Sequence, residues 1–194
     1  MRIAEKTRNT NETQIKAKIN LDGSGIAQVN TGIGFFDHML TAFAKHGFFD
    51  LELQCKGDLH VDDHHTIEDC GIVLGQCISE ALKDKAGIQR YGFFYVPLDE
   101  ALVRTSLDIS GRPYLRFNSE NATCKCGVMS IDMAEEFFRA LAFNCGVTLH
   151  IDVINAKNTH HCIEAMFKSF ARALSMAVAY NEKQKGIPST KGVL

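Results

Sequence analysis

Two copies of the pattern HHxxE stand in this chain, His64-His65-Thr66-Ile67-Glu68 and His160-His161-Cys162-Ile163-Glu164. Imidazole and carboxylate are ligands for divalent transition metals. Positions i and i+4 of a helix share a face, so His64 pairs with Glu68 and His160 with Glu164. Neighbouring residues point about 100° apart, so His65 and His161 cannot easily join the ion their neighbours hold. Each copy therefore divides its histidines between two ions. Mixed imidazole and carboxylate sets with open positions suit Mn²⁺, Fe²⁺ or Zn²⁺ and a metal-dependent enzyme. One HHxxE alone reads as easily as a helix surface. A second copy in one repeat register moves the reading to ligands.

The elements that carry these residues recur. Gln14 to Asn20 alternates Ile15, Ala17 and Ile19 with polar residues and is predicted as a strand, followed by the turn Asp22 to Gly25 and a short strand over 26–29. A helix is predicted over 35–46 and ends at Gly47; a strand follows over 49–55, then a long helix over 63–85. The second half repeats the order: strands over 101–109 and 114–117, a polar loop over 118–127, a helix over 132–144, a strand over 147–153 and a long helix over 159–180. The expected fold class is α+β, a tandem duplication of a strand–strand–helix–strand–helix half. The halves span 1–90 and 91–194, the second with a C-terminal tail, and share one core because neither is comfortable alone. An offset of 96 sets His64 on His160, 98 sets His38 on Glu136, and 88 sets Glu12 on Glu100. Pseudo-twofold logic then gives two sites. One holds His64, Glu68, His161 and Glu136; the other holds His160, Glu164, His65 and His38.

At 194 residues, 45% hydrophobic and 23% charged, the chain has the profile of an ordinary soluble globule. A net charge of −2 offers no basic field for nucleic acid or anionic membrane. No apolar run approaches a membrane span, and the N-terminus lacks a signal-peptide core, so the cytoplasm is the expected compartment. The seven cysteines are an odd count and mostly fall in apolar stretches. Cys124-Lys125-Cys126 has no second close pair to complete a thiolate site and reads as a reduced pair in a loop. His46, His60 and His150 lack repeat support and read as structural or supporting groups.

Arg90, Arg112 and Lys191 sit at turns. Arg112, in Ser110-Gly111-Arg112-Pro113, can offer a guanidinium and exposed N–H groups to a phosphate. Ser189, Thr190 and Lys191 offer two hydroxyls and an ammonium, and Lys168 lies one helical turn beyond Glu164. Singly, each is as easily a solvated polar residue. Glu12 and Glu100 are candidate general bases. The residues alone also suit a two-metal hydrolase or a metal-storing shell protein.

The chain resembles the imidazoleglycerol-phosphate dehydratase family essentially end to end. The resemblance rests on Arg8 to Thr13, Gly34 to Met39, Gly57 to Asp69, Asp108 to Pro113, Asn158 to Ala165 and Pro188 to Leu194. It implies a duplicated fold of the ribosomal-S5-domain-2 type, two Mn²⁺ ions per active site, and a 24-subunit shell of trimers with sites at subunit interfaces. Its metal ligands carry onto His38, His64, His65, Glu68, His160, His161 and Glu164. Its substrate contacts carry onto Glu12, Arg90, Arg112, Lys168, Ser189 and Lys191. Some relatives have His where this chain has Glu136; Glu can still ligate Mn²⁺. No phosphatase half accompanies the chain, which implies a monofunctional form. The implied reaction dehydrates imidazole glycerol phosphate to imidazole acetol phosphate in histidine biosynthesis. A metal-held imidazolate would expel the hydroxyl through a diazafulvene-like intermediate. Glu12 is the first candidate to move the carbon-bound proton and Glu100 the second.

Overall fold

In β2 (Thr13–Asn20), Ile15, Ala17 and Ile19 point into the core and the residues between them point away, the two-residue period of a half-buried strand. It pairs antiparallel with β1 (Ile3–Asn9) and β4 (Asp50–Gly57), and β3 (Ala27–Asn30) runs parallel to β4. The second sheet repeats this with β5 (Tyr91–Leu98), β6 (Ala101–Asp108), β10 (Thr148–Asn155) and β7 (Tyr114–Asn118) in place of β1, β2, β4 and β3. The parallel pairs are crossovers through α1 (Gly34–Gly47) and α3 (Ile131–Cys145). The long helices α2 (His64–Leu82) and α4 (Thr159–Val178) close the halves, and a small hairpin of β8 (Lys125–Cys126) and β9 (Met129–Ser130) precedes α3. The computed structural model describes residues 1–119, 125, 126 and 129–194; Cys124 and most of the polar loop over 118–127 lie outside the described residues.

The duplicated α+β half is present, with one more strand at the front of each copy. Both extra strands lie at sheet edges and hide their periodicity. β1 fully buries only Ala4, and β5 carries Tyr91, Phe93 and Tyr95 on its open face. The residue offsets hold: 88 from Ile3 to Tyr91, 98 from Asp50 to Thr148 and 96 from His64 to His160. Helix ends differ slightly. α2 stops at Leu82, where Lys83 and Lys85 turn with positive φ. α1 ends with Phe48, not Gly47, in the left-handed conformation; a Cβ on Gly47 would meet the Phe49 ring at 2.3 Å.

The helices lie between the sheets. α2 packs on β1 and β2, and α4 on β5 and β6; across the middle, α2 meets α3 and α1 meets α4. Their apolar faces make one contiguous core in which Phe36, Phe137, Phe138, Phe167 and Phe170 interlock at ring separations of 4.9–6.4 Å. Burying each such ring contributes roughly 1.5–3 kcal/mol. Against α3, α2 presents Gly71 and Gly75, whose absent Cβ atoms would lie 2.7 Å from the Phe137 carbonyl oxygen and 2.6 Å from that of Leu141. This close crossing sets where the histidines of α2 stand relative to α3.

Candidate metal centres

Both HHxxE segments occupy the first turn of a long helix. Asp62 accepts a hydrogen bond from the His64 backbone N–H at 2.9 Å. Asn158 caps α4, accepting from His160 N–H at 2.9 Å and His161 N–H at 3.5 Å. The first turn leaves these rings free to reach the neighbouring short helix. Donor atoms of His64, Glu68 and Glu136 all lie within 4.8 Å of one another, as do those of His38, His160 and Glu164. Each set takes its HxxxE pair from the long helix of one half and its third member from the short helix of the other. The α2–α3 and α1–α4 contacts do this work. One set offers an imidazole and two carboxylates, the other two imidazoles and one carboxylate, both suited to a divalent first-row metal.

In the second set the His38 and His160 Nε2 atoms face the same Glu164 oxygen, at 3.5 and 3.1 Å. Burial pushes the Glu164 carboxyl up, but the Lys168 ammonium, 2.6 Å away, and the two histidines hold it below the usual carboxylate range. Lys168 therefore stands at this cluster. In the first set Glu68 lies 3.6 Å from His64 Nε2, and Glu136 also meets Arg139 at 3.2 Å.

His65 and His161 stand outside both sets within the one chain, and each turns Nδ1 to a carboxylate. His65 faces Asp58 at 3.0 Å, and its Nε2 lies 3.7 Å from Glu12. His161 faces Glu100 at 2.9 Å. These hydrogen bonds to Asp58 and Glu100 raise the two imidazoles above the ordinary histidine value. Glu100, hydrogen-bonded to His161 and to the Asn158 backbone N–H, is held down at about 2. Glu12 is more exposed, on a turn pinned by the Thr10 hydroxyl, which accepts from the backbone N–H groups of Glu12 and Thr13.

The anion contacts gather elsewhere. Arg90, at φ 71°, donates to both Asp108 oxygens at 2.7 and 3.1 Å and to the Pro188 carbonyl at 2.8 Å. It lines a cleft of about 580 Å³ with Ser189 and Thr190. Arg112 extends into solvent with its guanidinium 3.9 Å from Asp108, and Lys191 is exposed, its N–H bonded to Ser189 Oγ. No cluster residue lines that cleft. Sequence reasoning gave no role to Asp58, Asp69 or Asp108. Buried Asp69 accepts from Arg8 and from Thr13 Oγ1, tying the Glu12 turn to α2. Its repeat mate is Ala165 and that of Asp58 is Ala156, so the doubled register carries no signal for either.

Comparison with known proteins places the chain in a family. The imidazoleglycerol-phosphate dehydratase family model matches residues 31–174. The chain is similar to the imidazoleglycerol-phosphate dehydratase of Ruminiclostridium cellulolyticum, 58% identical over the full length of both. It is 56% identical to that of Acetivibrio thermocellus over 98% of this chain and 97% of the relative. Among solved structures, the dehydratase of Staphylococcus aureus superposes with a TM-score of 0.83 at 45% identity, covering 92% of this chain and 99% of the other. That of Pyrococcus furiosus gives 0.84 at 35%, covering 97% and 100%. The chain belongs to the imidazoleglycerol-phosphate dehydratase family, lyases of histidine biosynthesis.

Proposed function

We propose that this chain is a manganese-dependent dehydratase that converts D-erythro-imidazole glycerol phosphate to imidazole acetol phosphate in the cytoplasm. The observation that carries this reading is the cross-half assembly of His64, Glu68 and Glu136, and of His160, Glu164 and His38, into two sets of metal donors. His38, His64, His65, Glu68, Glu136, His160, His161 and Glu164 would hold Mn²⁺, two ions per active site, and the bound metal would supply Lewis acidity toward the substrate's imidazole and departing hydroxyl. The proton to be removed sits on an unactivated carbon, so a base alone is insufficient. Glu12, exposed beside His65, moves that proton. Arg90, Arg112, Lys168, Ser189, Thr190 and Lys191 bind the phosphate and fix the ring's approach.

His65 and His161 belong to neither donor set of their own chain and turn Nδ1 to Asp58 and Glu100. In our reading they complete clusters in neighbouring subunits of a 24-subunit homo-oligomer built from trimers, and the phosphate-binding tail reaches a site in the same way. The open face of the second sheet supports such contacts. Tyr91, Phe93, Tyr95 and Tyr114 stand there half exposed, where the first sheet has Ile3, Glu5, Thr7 and Ile26 at the equivalent register positions. The repeat halves, 1–90 and 91–194, act as one unit because each metal set needs both.

Chelation tests this reading. Metal-free protein is expected to lose imidazole acetol phosphate formation and regain it with Mn²⁺, with light scattering reporting the assembly in each state. Full activity without metal, or release of inorganic phosphate in place of dehydration, would contradict it; the second outcome would favour a two-metal hydrolase.

A further inference from the structure

Glu100 and Asp58 both face a histidine Nδ1, but the two carboxylates are held in different ways. Glu100 stands at the β5–β6 turn, and its two oxygens have separate tasks. Oε1 accepts the backbone N–H groups of Asn158 at 2.8 Å and Lys157 at 3.3 Å, just ahead of α4, while Oε2 takes His161 Nδ1 at 2.9 Å. Both oxygens of Asp58 face His65 Nδ1, at 3.0 and 3.3 Å. Its side chain has no other hydrogen-bond partner among the described residues. A neutral imidazole carries one proton, and an Nδ1 facing a carboxylate must be the N–H.

We propose that Glu100 is a positioning residue that fixes His161 as its Nδ1–H tautomer and so keeps Nε2 open as the metal-binding atom. Asp58 orients His65 in the same sense but without a second task. The proposal rests on the reading of His161 as a ligand. The difference between the two acids has a chemical consequence. Glutamine at position 100 has one oxygen, and the N–H groups of Lys157 and Asn158 can only donate. The amide oxygen must therefore turn to them, which presents the NH₂ group to His161 Nδ1. Nδ1 becomes the acceptor, the proton moves to Nε2, and the metal-binding atom is closed. Asparagine at position 58 is free to turn its oxygen to His65 and preserve the tautomer.

The experiment titrates Mn²⁺ into metal-free wild type, Glu100→Gln, Asp58→Asn and His161→Asn by calorimetry. It also reads histidine tautomers by solid-state ¹⁵N NMR, with His161→Asn assigning the resonance. Glu100→Gln is expected to lower Mn²⁺ affinity about 10–100-fold and to move the His161 proton to Nε2, with a smaller loss in Asp58→Asn. A merely structural Glu100 would change thermal stability but leave the tautomer in place. Wild-type Mn²⁺ affinity in Glu100→Gln alongside a weakened His161→Asn would overturn the proposal, as would a proton that stays on Nδ1. Wild-type affinity in His161→Asn would instead overturn the ligand reading, while the tautomer shift still decides whether Glu100 governs the ring.

Discussion

Glu12 and Glu100 hold equivalent places just before β2 and β6, yet their carboxylates have diverged. Glu100 is occupied by His161 and by two backbone amides, whereas Glu12 lies 3.7 Å from His65 on an exposed turn. Glu12→Gln is expected to lower kcat about 10²–10⁴-fold with metal content unchanged, measured by assay and elemental analysis together. Loss of metal in that variant would make Glu12 a ligand support and not the proton carrier. The doubled register made both acids legible as candidates. It could not rank them by environment, because the amides of Lys157 and Asn158 reach Glu100 only through the fold. Away from the site, Arg2 hydrogen-bonds to Asp22 and holds its carboxyl below the usual value of 3.8. A depressed carboxylate stabilises the folded state fully above its unfolded value, and that contribution fades as pH falls through the folded value. Thermal unfolding of metal-free Asp22→Asn should therefore differ from wild type at neutral pH and converge with it in acid, below about pH 3.8.

At the scale of elements, the crossing of α2 on α3 decides whether Glu136 can meet His64 and Glu68. Gly71 allows it, since a Cβ there would sit 2.7 Å from a backbone carbonyl oxygen and 3.0 Å from the Ala140 Cβ. Gly71→Ala gains helix propensity of up to about 1 kcal/mol but incurs about 1–3 kcal/mol of overpacking. Net destabilisation in denaturant unfolding is expected, with weaker metal binding as α3 is displaced. A stabilised variant with wild-type metal affinity would show that the crossing has slack. Both long helices were legible because their apolar stripes and HHxxE starts agree. β1 and β5 were not, since an edge strand buries too little to impose alternation and β5 carries aromatic side chains on its open face.

Across the whole molecule, duplication has produced two donor sets that neither half completes. The residue offsets put His38 opposite Glu136, and pseudo-twofold logic joined each short-helix residue to the long helix of the other half; the packing that makes this exchange is visible only in the fold. That exchange follows from α2 meeting α3 and α1 meeting α4 between the two sheets. It couples metal binding to the docking of the halves, while the aromatic face of the second sheet suits contacts between subunits. The most direct measurement is a crystal structure of the Mn²⁺-loaded protein with anomalous scattering at the manganese edge. One peak is expected among His64, Glu68 and Glu136 and a second among His38, His160 and Glu164, with His65 and His161 reaching them from neighbouring subunits. Peaks away from both sets, or a single ion held by the adjacent histidines of one motif, would contradict the account.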